Sequence, residues 1–130
     1  MCSEVYMPEV ARALALRGAE LIFMPAGTDK RRLWATWRTL IWARAIENLA
    51  VVVTTQNLFN HGERGLAMVA APEEILFEST APGLSVVDVD LDRLRAMRAA
   101  LRAAPVAALP GRSQRLVGRR RVREIGRAHV

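Results

Sequence analysis

The sequence predicts an α/β fold, in which short apolar strands follow amphipathic helices. Two helix-to-strand steps carry this prediction: a helix over residues 8–17 precedes the apolar run 21–24, and a helix over 33–48 precedes the β-branched run 51–55. The third observation is composition, because 130 residues that are 52% hydrophobic suffice for one ordinary domain. Such alternation is typical of a sheet with helices packed on its faces.

The first helix-to-strand step is bounded by residues with special backbone preferences. Pro8 suits the first helical turn, and Gly18 stands where a helix C-terminus is commonly capped. The apolar run 21–24 stops at Pro25 and Gly27. We therefore expect a short strand that is buried on both faces.

The second helix carries an apolar stripe and all three tryptophans. Arg38 and Arg44 fall away from the stripe, which is formed by residues at helical spacing. Its members are Leu33, Trp37, Leu40 and Ile41. Trp34, Trp37 and Trp42 cannot all share one stripe. At least one is therefore expected to meet a pocket or a partner subunit, unless all three pack in the core.

The remaining pattern predicts a hairpin, a further strand and a last helix. Residues 65–71 and 75–78 flank a turn and read as a β-hairpin, and residues 85–89 have the pattern of another strand. Asp90 suits the N-cap of a helix over residues 91–103.

The charged residues favour neither a metal site nor a basic domain. Asp88, Asp90 and Asp92 lack the glycine and the terminal glutamate of a calcium loop, so we expect no metal ion there. Residues 1–109 carry 12 basic and 12 acidic side chains, whereas residues 110–130 carry seven arginines against one glutamate. The net charge of +6 therefore belongs to the tail.

The tail, residues 110–130, allows two interpretations. An arginine-rich arm can contact phosphates, which makes a non-catalytic or nucleic-acid-binding small protein the alternative function. Residues 124–130 also look like the translated end of a sequencing-library adapter. We expect a disordered and partly artefactual tail, a reading frame cut short at both ends, and no nucleic-acid partner.

Cys2 is the only cysteine and lies shortly before the predicted helix start at Pro8. A thiol near the start of a helix is a plausible nucleophile, whereas a lone cysteine is otherwise a small buried hydrophobe. His61 can be its proton acceptor in a Cys–His dyad, or a solvated loop residue near the chemistry. The residues alone leave these alternatives open.

Cysteine count and hydropathy also bear on location. One cysteine excludes an internal disulfide and fits a reducing cytoplasm. Because no apolar run approaches the roughly 20 residues that span a bilayer, we expect a cytoplasmic protein without a membrane partner.

Four segments, taken in order, resemble the carbon–nitrogen hydrolase (nitrilase) superfamily. They are residues 2–27, which contain Cys2, Glu4, Pro8 and Glu9, then residues 42–53, 65–78 and 87–95. The resemblance implies a partial α-β-β-α sandwich, in which two sheets pack face to face with helices outside and this chain supplies about half. Residues 1–109 would be the C-terminal half of that domain, beginning at the nucleophile.

The resemblance also implies a chemistry. Cys2 attacks an amide or nitrile carbon to form a thioester, and the backbone N–H of Ser3 is the candidate oxyanion donor. The glutamate base and the lysine of the family lie upstream of the cysteine and match nothing in this chain. Glu9 and Glu47 are implied to support the site. The pocket is expected to be lined by Tyr6, Pro25, Ala26 and Gly27.

The same resemblance implies the partners. They are a small amide or nitrile substrate and, for the full-length enzyme, further copies of itself; no cofactor is implied. A chain that holds half of the strands would expose apolar surface and tend to aggregate or dimerise. We expect the 130-residue chain alone to lack hydrolase activity.

Overall fold

The computed structural model describes residues 3–27, 33–57 and 65–104, so the tail 110–130 lies outside the described residues. As predicted, the described residues form a mixed α/β unit, and its sheet has four strands. In chain order its elements are a 3₁₀ turn (Ser3–Tyr6), α1 (Pro8–Leu16), β1 (Leu21–Phe23), α2 (Trp34–Asn48), β2 (Val51–Thr54), β3 (Ala67–Ala70), β4 (Ile75–Ser79) and α3 (Leu91–Ala103). None of these helices is long and apolar enough to cross a bilayer.

The sheet mixes parallel and antiparallel pairing in the order β1-β2-β3-β4. β1 and β2 are parallel, with Ile22 opposite Val52, because α2 carries the chain back between them. β2, β3 and β4 pair antiparallel, and Val52 lies opposite Ala70. The register of β3 and β4 shifts between Val69 and Ala70. The predicted strand 51–55 and the hairpin are therefore confirmed, with slightly different ends.

α1 and α2 cover one face of the sheet, here named the helix-covered face. Side chains alternate along each strand, so Ile22, Val52 and Met68 all lie on this face and are at most 2% exposed. Trp37 and Ile41 of α2 belong to the same buried cluster. This face holds the main core.

All three tryptophans of α2 pack on this core. Trp37 is buried in it, and Trp34 and Trp42 are partly buried against it. Trp42 Nε1 donates to the Ala71 carbonyl at 3.2 Å, and the Arg38 guanidinium lies 5.9 Å from the centre of the Trp34 ring. Core packing accounts for the three rings within the part of the chain that is described.

The opposite face, here named the open face, is covered at one end, where Leu94 of α3 packs with Val51 and Val69. The expectation that β1 is buried on both faces is wrong. Leu21 is 37% exposed and Phe23 58% exposed, because no described helix packs over that side of β1.

The predicted strand over residues 85–89 is also wrong. Residues 84–90 have no regular secondary structure, since no described strand lies beside them to complete a ladder. Val87 and Val89 pack against the open-face cluster, whereas Leu84 is 96% and Val86 91% exposed. The alternating pattern thus correctly indicated which side chains face the sheet, but the segment does not pair as a strand.

Local signals place the helix ends. Gly18 follows α1 with a φ of 96°, a conformation that glycine adopts without strain. Asp90 caps α3 as predicted, since its Oδ1 accepts from the Arg93 backbone N–H at 2.9 Å. Asp92 Oδ1 accepts from Arg95 Nη1 at 2.8 Å. Within the described ranges no three His, Cys, Asp or Glu side chains are grouped to hold a metal ion.

Candidate active site

The candidate site is centred on the 3₁₀ turn Ser3–Tyr6, because this turn follows the predicted nucleophile. Cys2 itself and His61 lie outside the described residues. Ser3, the predicted oxyanion donor, opens the turn and is exposed. What the structure describes is therefore the support that holds the peptide after Cys2.

Two side chains of the turn attach it to the helix-covered core. Val5 is fully buried in the same cluster as Trp37. The ring of Tyr6, which is 47% exposed, meets Trp37 edge-on, with centroids 5.8 Å apart and planes at 70°. The Met7 N–H closes the turn on the Glu4 carbonyl at 2.9 Å. Tyr6 is thus held against Trp37 while about half of its surface stays exposed beside the turn.

A third attachment comes from Arg44, and the prediction that Arg44 points away from the buried stripe of α2 is wrong. Its side chain is only 7% exposed. Nε donates to the Val5 carbonyl at 3.1 Å, and Nη1 donates to Glu47 Oε1 at 2.8 Å. The physical reason is helical spacing: Arg44 lies three residues after Ile41 and seven after Trp37, on the same buried side of α2, and the turn packs against the helix there.

Glu47 and Asn48 complete a polar cluster at the end of α2. Glu47 accepts from Arg44, and Asn48 Nδ2 donates to the Arg44 carbonyl at 2.9 Å and to Glu47 Oε1 at 3.4 Å. Glu47 is therefore linked to the turn through one side chain. Glu9, the other residue expected to support the site, is exposed on α1 and forms no side-chain hydrogen bond or ion pair with the described residues.

The predicted pocket segment, residues 25–27, lies where β1 and β2 end. The Ala26 N–H donates to the Thr55 carbonyl at 2.9 Å, and the Asn57 N–H donates to the Ala26 carbonyl at 2.9 Å. Pro25 is exposed and Gly27 half-buried, whereas Ala26 is 7% exposed.

Ala26 belongs to the same buried cluster as Val5 and Trp37. The segment 25–27 and the turn before α1 therefore rest on one core. The structure thus brings these two predicted parts of the site onto a common support.

Two adjoining clefts lie at the ends of β2, β3 and β4. One of about 430 Å³ is lined in part by Gln56, Leu66, Ser79 and Pro82, and one of about 380 Å³ opens on the open face beside Phe77. None of the four residues predicted to line the pocket borders either of these two clefts. Ala26 is connected to the larger cleft by its β-bridge with Gln56, which is one of the residues that line this cleft.

Gln56 has a defined orientation in the larger cleft. Its Oε1 accepts from the Leu66 backbone N–H at 2.8 Å, which fixes which end of the carboxamide is oxygen. Sequence reasoning missed Gln56 and Arg44. For Arg44 a signal exists, because Arg, Glu and Asn at positions i, i+3 and i+4 lie together on a helix and mark a polar face that needs a partner.

Comparison with known proteins agrees with this architecture. Residues 1–99 match the sequence profile of the family described as carbon-nitrogen hydrolase. A deaminated glutathione amidase from Synechocystis sp. is 33% identical over 104 residues, which cover 75% of this chain and 38% of that protein. The human deaminated glutathione amidase is 34% identical and is covered over 32% of its length.

Solved structures of carbon–nitrogen hydrolases also resemble this chain. A cysteine-to-alanine mutant of the Nesterenkonia AN1 amidase, of the nitrilase superfamily, has 32% identity and a TM-score of 0.60; the alignment covers 78% of this chain and 40% of that one. Nit3 of Saccharomyces cerevisiae has a TM-score of 0.65 at 21% identity, a likeness of fold alone, over 82% of this chain and 42% of that chain. The chain spans about two-fifths or less of the curated relatives named here. With its mixed sheet and its profile match over residues 1–99, the chain belongs to the carbon–nitrogen hydrolase family.

Proposed function

We propose that the protein provides the nucleophile of a thiol amidohydrolase that cleaves non-peptide carbon–nitrogen bonds, with Cys2 as that nucleophile. The observation that carries the proposal is the family match, which includes the segment around Cys2. Three attachments of the following turn to α2 support it, because a nucleophile must be held close to its attack geometry.

The proposed reaction has two stages. The Cys2 sulfur attacks the carbonyl carbon of an amide, the carbon–nitrogen bond breaks, and ammonia or an amine leaves with the proton that the thiol gave up. Water then attacks the thioester, which releases the carboxylic acid and restores the thiol. The Ser3 backbone N–H would stabilise the oxyanion of each tetrahedral intermediate. Glu47 would act through Arg44 on the position of the turn.

An amide is the proposed substrate class, ahead of a nitrile. The Synechocystis and human relatives named above are amidases by name, and so is a Pseudomonas sp. protein named (R)-stereoselective amidase, which is 35% identical over 105 residues. Tyr6 and residues 25–27 are proposed to line the pocket, and the active enzyme is proposed to be a homo-oligomer. We place the protein in the cytoplasm, where a single reduced thiol persists.

The test uses the chain alone and a chimaera. The 130-residue chain is expected to release no ammonia from a panel of amides and nitriles, since nothing in it matches the family's glutamate base and lysine. Residues 1–104 are then fused behind the part of the Synechocystis amidase that precedes its matched segment. The chimaera is expected to hydrolyse amides, and Cys2→Ala is expected to abolish that turnover.

The matched control is Ser3→Ala, which keeps the backbone N–H proposed as oxyanion donor and so should retain turnover. Activity of the chimaera that survives Cys2→Ala would refute the role of Cys2. Cys2-dependent turnover by the chain alone would refute its proposed inactivity.

A further inference from the structure

We propose that Arg44 is a positioning residue, which fixes the peptide after Cys2 by holding the Val5 carbonyl against α2. This inference rests on the proposed function, in which Cys2 is the nucleophile. Neither Arg44 nor its bond to Val5 belongs to the residues that the family resemblance assigns to the site.

The chain itself explains why the Val5 carbonyl needs a donor from elsewhere. In a continuing 3₁₀ helix the carbonyl of residue 5 would accept from the N–H of residue 8, but Pro8 has none. Among the described residues the donor is Arg44 Nε, at 3.1 Å. The sequence thus creates an unsatisfied carbonyl within the turn and satisfies it with a side chain 39 positions away.

The Arg44 guanidinium pairs with a carboxylate and also fixes the orientation of the turn. It is nearly buried, and its two donors diverge, Nε to a backbone oxygen and Nη1 to Glu47. A planar fork with two fixed acceptors defines a direction, which the single ammonium of lysine does not. Only two residues, Ser3 and Glu4, lie between Val5 and Cys2, so the chain from Val5 to Cys2 spans at most about 10 Å and the position of Val5 limits where Cys2 can lie.

The same helix offers a matched control. Arg38 also pairs with one carboxylate, Glu78, at 2.7 Å, and lies 5.9 Å from the centre of the Trp34 ring, but its carboxylate partner belongs to β4 and not to the turn. Arg38→Met should therefore remove a comparable ion pair while leaving the Val5 carbonyl satisfied.

The experiment measures alkylation of Cys2 by iodoacetamide between pH 6 and pH 10 in the 130-residue chain, where this thiol is the only one. Arg44→Met is expected to slow alkylation at pH 7 by about fivefold, because the peptide after Cys2 loses its fixed position, and to change the pH profile relative to wild type. Arg44→Lys should lie between wild type and Arg44→Met. Arg38→Met should stay within about twofold of wild type. Far-UV circular dichroism verifies that each variant is folded.

Equal pH profiles for wild type and Arg44→Met, or equal shifts in Arg44→Met and Arg38→Met, would overturn the proposal. If Arg44→Met does not fold, the test uses Glu47→Gln and Arg44→Lys instead. Both variants are expected to slow alkylation, and wild-type pH profiles in both would overturn the proposal. Alkylation needs no substrate, so these outcomes stand apart from the amide assay that tests the proposed function.

Discussion

The helix-covered face and the open face are built from the same strands but differ in what lies over them. On the helix-covered face Trp37, Ile41 and Val52 are at most 1% exposed. On the open face Phe23 is 58% exposed, although its register partner is Val53 of the neighbouring central strand. Both faces are apolar, so coverage, and not composition, separates them.

α3 shows how a helix that packs over the sheet lowers the exposure of the strand residues beneath it. At the end of the open face that it reaches, Val51 falls to 2% and Leu94 to 3% exposure. Farther along, at β1, Leu21 and Phe23 remain 37% and 58% exposed. The open face therefore has the composition of a surface meant to be buried in a sandwich, which agrees with a chain that spans about two-fifths of its amidase relative from Synechocystis.

The largest expected difference comes from truncating one aromatic ring on each face. Trp37→Ala removes a ring that is 1% exposed and should lower the free energy of unfolding by about 3–5 kcal/mol. Phe23→Ala removes a ring that is already largely in water and should cost less than about 1 kcal/mol. Urea unfolding followed by circular dichroism measures both. Similar costs for the two variants would contradict the comparison.

The next effect concerns the side chain that fastens α3 to the sheet. Arg98 Nε donates to the Leu49 carbonyl and Nη2 to the Ala19 carbonyl, each at 2.7 Å. Arg98→Met should lower the free energy of unfolding by about 2 kcal/mol, because both carbonyls lose a charged donor. Arg102→Met, at an exposed position on the same helix, should change it by less than about 0.5 kcal/mol. A loss no larger than that of the control would rule out this fastening role.

The features that the sequence predicts correctly are those that depend on neighbouring residues. The α3 cap at Asp90 and the hairpin were predictable, because their signals lie within a few residues. The strand at 85–89 was not, because a ladder depends on a neighbour that no local pattern reveals. The partner of Arg44, the Val5 carbonyl, was missed for the same reason, since it lies 39 positions away, although helical spacing already places Arg44 on the side of Trp37. Long-range partners decided each failure.

A smaller effect on stability, but a clear one on association, is expected from the exposed side chains of the open face. We expect the 130-residue chain to self-associate through this face at micromolar concentrations. Phe23→Ser combined with Leu84→Ser should shift sedimentation velocity toward the monomer while the urea midpoint changes little. Leu16→Ser, at an exposed position on α1, is the control. Unchanged association in the double variant would mean that another surface mediates it.

The smallest effect is electrostatic and lies where α3 meets the residue before β1. Arg95 donates from Nε and Nη2 to the two carboxylate oxygens of Glu20, each at 2.9 Å, and this pairing lowers the pKa of Glu20 below its usual value of about 4.5. Because the folded pKa is the lower one, the stabilisation is complete above pH 4.5 and is lost as the pH falls through the folded pKa.

Glu20→Gln removes this dependence. The difference in unfolding free energy between wild type and Glu20→Gln should therefore shrink between pH 6 and pH 3, and 1 M salt should reduce it at pH 6, since the pair is partly exposed. A difference that stays constant over this pH range would show that the Arg95 pairing does not set the ionisation of Glu20.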